Sequence, residues 1–352
     1  MDNPLLKKNT LPAFDSIKAR HIEPALDKIL QDYRETLASL LSANSQYNWN
    51  NLIQPLDDKA DQLSRAWSPV NHLHSVADSD ELREAYNLCL PKLTEFGTEM
   101  GQHEGLYQAY LHIRESGEFS SLHPAQQKSI DNALRDFKLS GIGLNEKNRE
   151  EYKAVKQKLS QLQTKFEENL LDATQNWKKH FDDQTQLIGL PESALALAAQ
   201  NAKREDETGW LINLEFPSYL PVMQYADNRA LREEVYQAFV TRASEQGPDA
   251  GKWDNGKLMV DILALRQQQA GLLGFNSYAD YSLARKMAAD ASEVLDFLGD
   301  LAERSIAVAR ADLEELRNFA LEHYQVDDLQ AWDIGYYSEK LREHKYDISQ
   351  EQ

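Results

Sequence analysis

The chain has 352 residues, 41% of them hydrophobic, enough to bury a sizeable core and to build more than one domain or subdomain, so disorder is not its default state. Its 57 Asp and Glu against 38 Lys and Arg give a formal charge of −19, which argues against nonspecific affinity for nucleic acid or an anionic membrane surface. A single cysteine, Cys89, rules out an intrachain disulfide and a thiolate metal cluster and fits a reducing, cytoplasmic setting.

The stretch Met1 to Lys8 lacks the basic, apolar and small-residue regions of a secretion signal. No apolar run approaches the roughly 20 residues of a membrane-spanning helix, so a soluble protein is expected. Leu26, Ile29, Leu30, Tyr33, Leu37, Leu40 and Leu41 recur at helical steps, and Leu52, Leu56 and Leu63 repeat the pattern between Trp49 and Trp67. A third helix is predicted from about Ser79, with Asp78 and Glu81 spaced as a capping box and Pro91 kinking or dividing it. After Gly141-Ile142-Gly143, Tyr152, Val155, Leu159, Leu162, Phe166, Leu170, Ala173 and Trp177 form an apolar stripe on one long helix. The aromatic residues in that stripe favour packing inside a globular domain over a coiled-coil arm.

Trp210, Ile212, Leu214 and Phe216 alternate with Leu211, Asn213 and Glu215, the pattern of a strand that Pro217 ends. Helical periodicity resumes through Leu231 to Phe239, Leu258 to Leu273, and Leu295, Leu298, Leu301, Ala309, Leu313, Leu316 and Ala320, with a Gly- and Pro-containing loop at 244–255. The fold class is therefore mostly α with a small β element near 210–216. The division expected is 1–180, a connection at 181–208, and 209–352.

Two histidines four residues apart on a helix turn about 400° and share a face, the usual basis of a peptidase zinc site. The nine histidines stand at 21, 72, 74, 103, 112, 123, 180, 323 and 344, and no two are four apart. His103-Glu104 comes nearest, but Tyr107 occupies the second ligand position, so His103 reads better as a helix-start residue. His72 and His74 could share a metal only on a strand or loop. Glu322, His323, Glu339 and His344 offer ligand types without a zinc spacing. There is no Gly-x-Ser-x-Gly, no Gly-rich phosphate loop, and Cys89 lies in an apolar stripe. No catalytic residue and no metal ligand can be assigned.

A series of segments nevertheless stands in a familiar order. Asn3-Pro4-Leu5-Leu6, Ile22-Glu23-Pro24-Ala25, Ser68 to Leu73, Leu82-Arg83-Glu84-Ala85-Tyr86, Gly101 to Tyr107 and Asp131 to Phe137 are followed by Phe216-Pro217-Ser218-Tyr219-Leu220-Pro221-Val222-Met223, Gly247-Pro248 through Asn255, Leu273 to Asp280, and Trp332-Asp333-Ile334-Gly335-Tyr336-Tyr337. Together they resemble zinc oligopeptidases of the thimet oligopeptidase/oligopeptidase A family over essentially the whole chain.

The resemblance implies the amino-terminal half of a neurolysin-like helical clamshell, in a family of cytoplasmic zinc endopeptidases that degrade short peptides. Residues 1–180 would be the helical domain and 209–352 the opening of the peptidase domain. In the family the His-Glu-x-x-His helix lies well downstream of the Trp-Asp-x-x-Tyr-Tyr segment, so the expectation is a chain that stops before the zinc motif and is inactive alone. Tyr346 to Gln352 shows no Gly or Pro helix stop, which reads as a cut through continuing structure. Trp332, Asp333, Tyr336 and Tyr337, nearest the family's working surface, are candidates for substrate contact. Their competing reading is an aromatic packing seam with a capping Asp. The other function class open to the chain is a stand-alone helical module that binds peptides or pairs with a separately encoded catalytic half.

Overall fold

The computed structural model describes residues 3–7, 11–43 and 46–349. In chain order the elements begin with α1 (Ala19–Ala43), α2 (Gln54–Val76), α3 (Asp80–Gly101), α4 (Glu104–Glu115), α5 (Pro124–Leu139) and α6 (Glu146–Asn176). Strand β1 (Lys178–Phe181), α7 (Glu192–Arg204), β2 (Trp210–Asn213), α8 (Phe216–Tyr225) and α9 (Arg229–Val240) follow. The last are α10 (Gly256–Leu272), α11 (Tyr278–Leu283), α12 (Ala291–Tyr324) and α13 (Ala331–Tyr346). The expected mostly α class holds, with one two-stranded antiparallel sheet among the described residues. The chain forms two compact units: one runs to Thr164 and includes Ile262–Arg285, the other holds Lys165–Asp261 and the residues from Lys286 onward.

In the first unit, Ile22, Ala25, Leu26, Ile29 and Leu30 of α1 bury one helical face against Ala66 and Val70 of α2 and Leu82, Tyr86, Cys89 and Phe96 of α3. Farther along α1, Leu37 joins Leu52, Ile53, Leu56, Leu106, Ile113, Ile130 and Phe137 in a second cluster. Ser79 caps α3 by accepting from the Leu82 N–H at 3.3 Å. Asp78, expected in a capping box, instead pairs with Arg83 at 2.7 Å. Pro91 does not divide α3, because the packing of Cys89 and Phe96 on either side outweighs the one backbone hydrogen bond a proline removes. Tyr152, Val155, Leu159 and Leu162 of α6 are all buried, as packing within a globular unit requires. The returning segment is tied in by Gln268 donating to Glu151 at 2.6 Å and by Arg285 pairing with Asp136 at 3.3 Å.

In the second unit β1 pairs with β2 in the register Lys178↔Asn213 to Phe181↔Trp210. The strand read from the sequence ends at Asn213; Phe216 opens α8, and Pro217 sits in its first turn, where a missing N–H costs no hydrogen bond. Residues 181–208 fold as well: Leu187, Leu190, Ala194 and Ala198 pack with Ile212, Leu214, Val222, Leu231 and Val235. At its far end α13 stops at Asp347, which adopts the left-handed conformation (φ +54°) more often given to glycine. That stop is absent from the sequence expectation for the terminal segment, whose residues 350–352 lie outside the described residues. No helix among the described residues is long and apolar enough to cross a membrane.

Leu52 is fully buried and Val260 is 66% exposed. Replacing Leu52 with Ala is expected to cost about 2–5 kcal/mol, whereas Val260→Ala should stay within about 0.5 kcal/mol; urea denaturation followed by circular dichroism compares the two.

Candidate functional site

α13 presents its first turn and one face to α8 and α9 within the second unit. Gly335 permits this approach, since a Cβ there would stand 3.3 Å from the carbonyl oxygen of Met223. Asp333, at the third position of α13, has no exposed surface. Its carboxylate accepts from Arg229 Nε at 3.1 and 3.0 Å, Arg229 Nη2 at 2.6 Å and Arg232 Nη2 at 2.8 Å. It also caps its own helix by accepting from the Gln330 N–H at 3.0 Å.

Arg232 is 1% exposed, with both terminal nitrogens bonded and its buried Nε without a hydrogen-bond partner. Its Nη1 donates to the Ala226 carbonyl at 2.7 Å, and its guanidinium carbon lies 4.1 Å from the centre of the Tyr336 ring. The Tyr336 hydroxyl donates to Asp227 Oδ1 at 2.8 Å. Asp227 in turn lies against Gly189, whose φ of +95° and 2.1 Å Cβ distance to the Tyr225 oxygen admit no side chain. Two carboxylates and two guanidiniums thus meet in one network with no net charge.

Burial works against the charged form of Asp333, but the hydrogen bonds from Arg229, Arg232 and Gln330 outweigh it and hold its pKa below the ordinary value. The bond to Asp333 raises the pKa of Arg229. Burial, with the Asp227 carboxylate beside it, raises the pKa of the Tyr336 phenol and keeps it protonated. Such a cluster can fix geometry.

The four residues singled out in the sequence therefore lie together on α13, but in different settings. Asp333, Tyr336 and Tyr337 are buried, and Tyr337 meets the rings of Tyr324 and Tyr336 at 5.3 and 5.1 Å. Trp332 is half-buried, 6.1 Å from the Tyr236 ring, and its indole N–H has no hydrogen-bond partner. Sequence reasoning passed over Arg229, Arg232 and Asp227. The available signal was Arg232 itself, which sits among Leu231, Val235 and Ala238 on an apolar helix face and so demands a buried counter-charge.

The histidines serve local structure. His103 and His123 accept from the backbone N–H groups of Leu106 and Ala125 at the starts of α4 and α5. His74 stacks on Tyr86 at 4.1 Å, and both His72 and His74 lie on α2, where positions two apart point away from each other. His323 and His344 bring their rings to 4.8 Å beside Phe319. Among the described residues no three His, Cys, Asp or Glu converge as a metal site.

Two family models fit this helical architecture, one on either side of the 178–213 sheet. The Neurolysin/Thimet oligopeptidase N-terminal domain matches residues 26–149, and Peptidase family M3 matches residues 222–352, which contain Arg229, Arg232 and Asp333. Over 352 residues the chain is 51% identical to Oligopeptidase A of Haemophilus influenzae and 51% identical to Oligopeptidase A of Escherichia coli, covering 100% of this chain and 52% of each relative. It is 41% identical over 359 residues to the Probable cytosolic oligopeptidase A of Arabidopsis thaliana, covering 99% of this chain and 50% of that one. Residues 222–352 thus match peptidase family M3, and the whole chain is similar to the amino-terminal half of oligopeptidase A. It spans about half the length of the curated relatives it matches.

Asp333→Asn leaves Arg232 buried beside a neutral group and is expected to cost about 3–5 kcal/mol. Because the folded pKa of Asp333 lies below the unfolded value of about 3.9, its contribution is complete above that pH and is lost as pH falls through the folded pKa. Urea denaturation of the native chain and the variant should show a gap that is full at pH 6 and narrows below about pH 4.

Proposed function

We propose that this chain is the amino-terminal portion of a zinc-dependent oligopeptidase that degrades short peptides in the cytoplasm, and that by itself it hydrolyses none. The observation that carries this reading is the 51% identity across all 352 residues to oligopeptidases of which it spans 52%. In this reading residues 1–180 supply the helical domain and 209–352 the opening of the peptidase domain. Residues 181–208, folded as α7 and its flanks, join them. The family matches at 26–149 and 222–352 fall inside those two parts. In this reading zinc belongs to the whole protein, which the match of residues 222–352 to Peptidase family M3 supports.

Trp332, Asp333, Tyr336 and Tyr337 enter as positioning residues. Three of them are at most 6% exposed and committed to the α9–α13 clasp, so their role is to fix the start of the peptidase domain rather than to touch peptide. The cytoplasmic assignment is supported by the buried, unpaired Cys89, whose thiol burial pushes up to a pKa of about 11, and by the cytosolic description of the Arabidopsis relative. A second reading, a helical module that binds peptides or pairs with a separate catalytic half, draws support from the exposed apolar face of α12.

A quenched fluorescent peptide incubated with the purified chain and added zinc is expected to stay uncleaved. Turnover that co-purifies with the chain and is stopped by a chelator would overturn the predicted inactivity. Calorimetric titration with the same peptide separates the two readings: saturable binding by the chain alone supports the module, and no heat supports the dependent portion.

A further inference from the structure

One apolar stripe runs the length of α12 through Leu295, Leu298, Leu301, Ala309, Leu313, Leu316 and Ala320. Only its carboxyl-terminal part is packed, where Leu316 and Ala320 are buried with Tyr336 and Tyr337 of α13. From Leu295 to Asp312 every residue is exposed. That stretch carries Leu295, Phe297, Leu298, Leu301, Ile306 and Val308, with exposures between 49% and 67%. A helical segment of this length is marginal in water by itself, and contiguous exposed apolar surface marks a site of association. The stripe therefore continues a packed seam into exposed surface.

Charge selects among the occupants. Between residues 291 and 308 the helix carries Glu293, Asp296, Asp300 and Glu303 against one base, Arg304, and the whole chain stands at −19. A second copy would set like charge against like charge. The relatives, by contrast, contain nearly as much polypeptide again as this chain spans. We infer that residues 295–308 of α12 dock the part of an oligopeptidase A-type chain that these 352 residues do not span, through an apolar surface rimmed by Lys or Arg. The inference rests on the amino-terminal-portion reading of the function and adds the place where the two parts meet.

The test compares this chain alone with this chain continued, at the matching position, by the part of the Haemophilus influenzae relative that it does not span. Amide hydrogen exchange across residues 295–308 is expected to be at least tenfold slower in the continued chain. Leu298→Glu combined with Leu301→Glu should abolish that slowing while leaving the melting curve of the 352-residue chain unchanged. Equal exchange in both chains overturns the inference, and so does protection of these amides in the chain alone accompanied by a dimer in light scattering. Peptide hydrolysis by the continued chain is read separately. Hydrolysis with 295–308 still unprotected sinks the docking site and keeps the functional reading; protection without hydrolysis does the reverse.

Discussion

A carboxylate with no exposed surface stays ionised only where fixed donors replace the water it has given up. At Asp333 two guanidiniums and one backbone N–H do so, and the placement of α9 against α13 follows from that requirement. Arg229 and Arg232 set the rotation of α9, because only one face of that helix can deliver both side chains. The Asp333 capping bond sets where α13 begins. Tyr336, one turn on, lies between Arg232 and Asp227, and Asp227 is fixed against the Gly189 turn by its N–H to the Ile188 carbonyl at 2.9 Å. A buried network of this kind adds less net stability than its bond count suggests. What it supplies is uniqueness, since a register slip of either helix would strand a charge in the core.

Much of the architecture could be read from periodicity, and the exceptions share a cause. The stripe of α6 was legible because each of its inward residues is apolar and spaced for a helix. β2 was legible from the apolar run Trp210-Leu211-Ile212, although both Leu211 and Ile212 are buried rather than alternating; its partner β1 was not, since Lys178-Lys179-His180-Phe181 offers one apolar residue and takes its strand form from the pairing. Phe216 continued the alternation by chance and was drawn into α8 by the Pro217 turn. Pro91 carried a local signal for a break that tertiary packing overrode. In each case the deciding contact is remote in sequence, which is the information a local pattern lacks.

The site shows the same division. Ordered motifs were enough to point to the family whose models match residues 26–149 and 222–352, and Trp332, Asp333, Tyr336 and Tyr337 do lie together. Their chemistry was not legible, because it depends on Arg229 and Arg232, about a hundred residues away along the chain, at separations of 104 and 101. The histidines teach the converse. A residue type suited to metal binding is here spent on helix starts and ring stacks, as at His103, His123 and His74.

The two units are also interleaved along the chain, since Ile262–Arg285 returns to the first unit after Lys165–Asp261 has built part of the second. On the ribosome this ordering delays closure. Tyr152 and Glu151 emerge long before Gln269 and Gln268 exist to meet them, and Arg232 waits for Asp333 for roughly 5–20 s at ordinary translation speed. Until then the second unit holds an unpaired guanidinium, whereas the two core clusters of the first unit are complete once Ile142 has emerged. The two units therefore close at different times, the second only when its last helix is made.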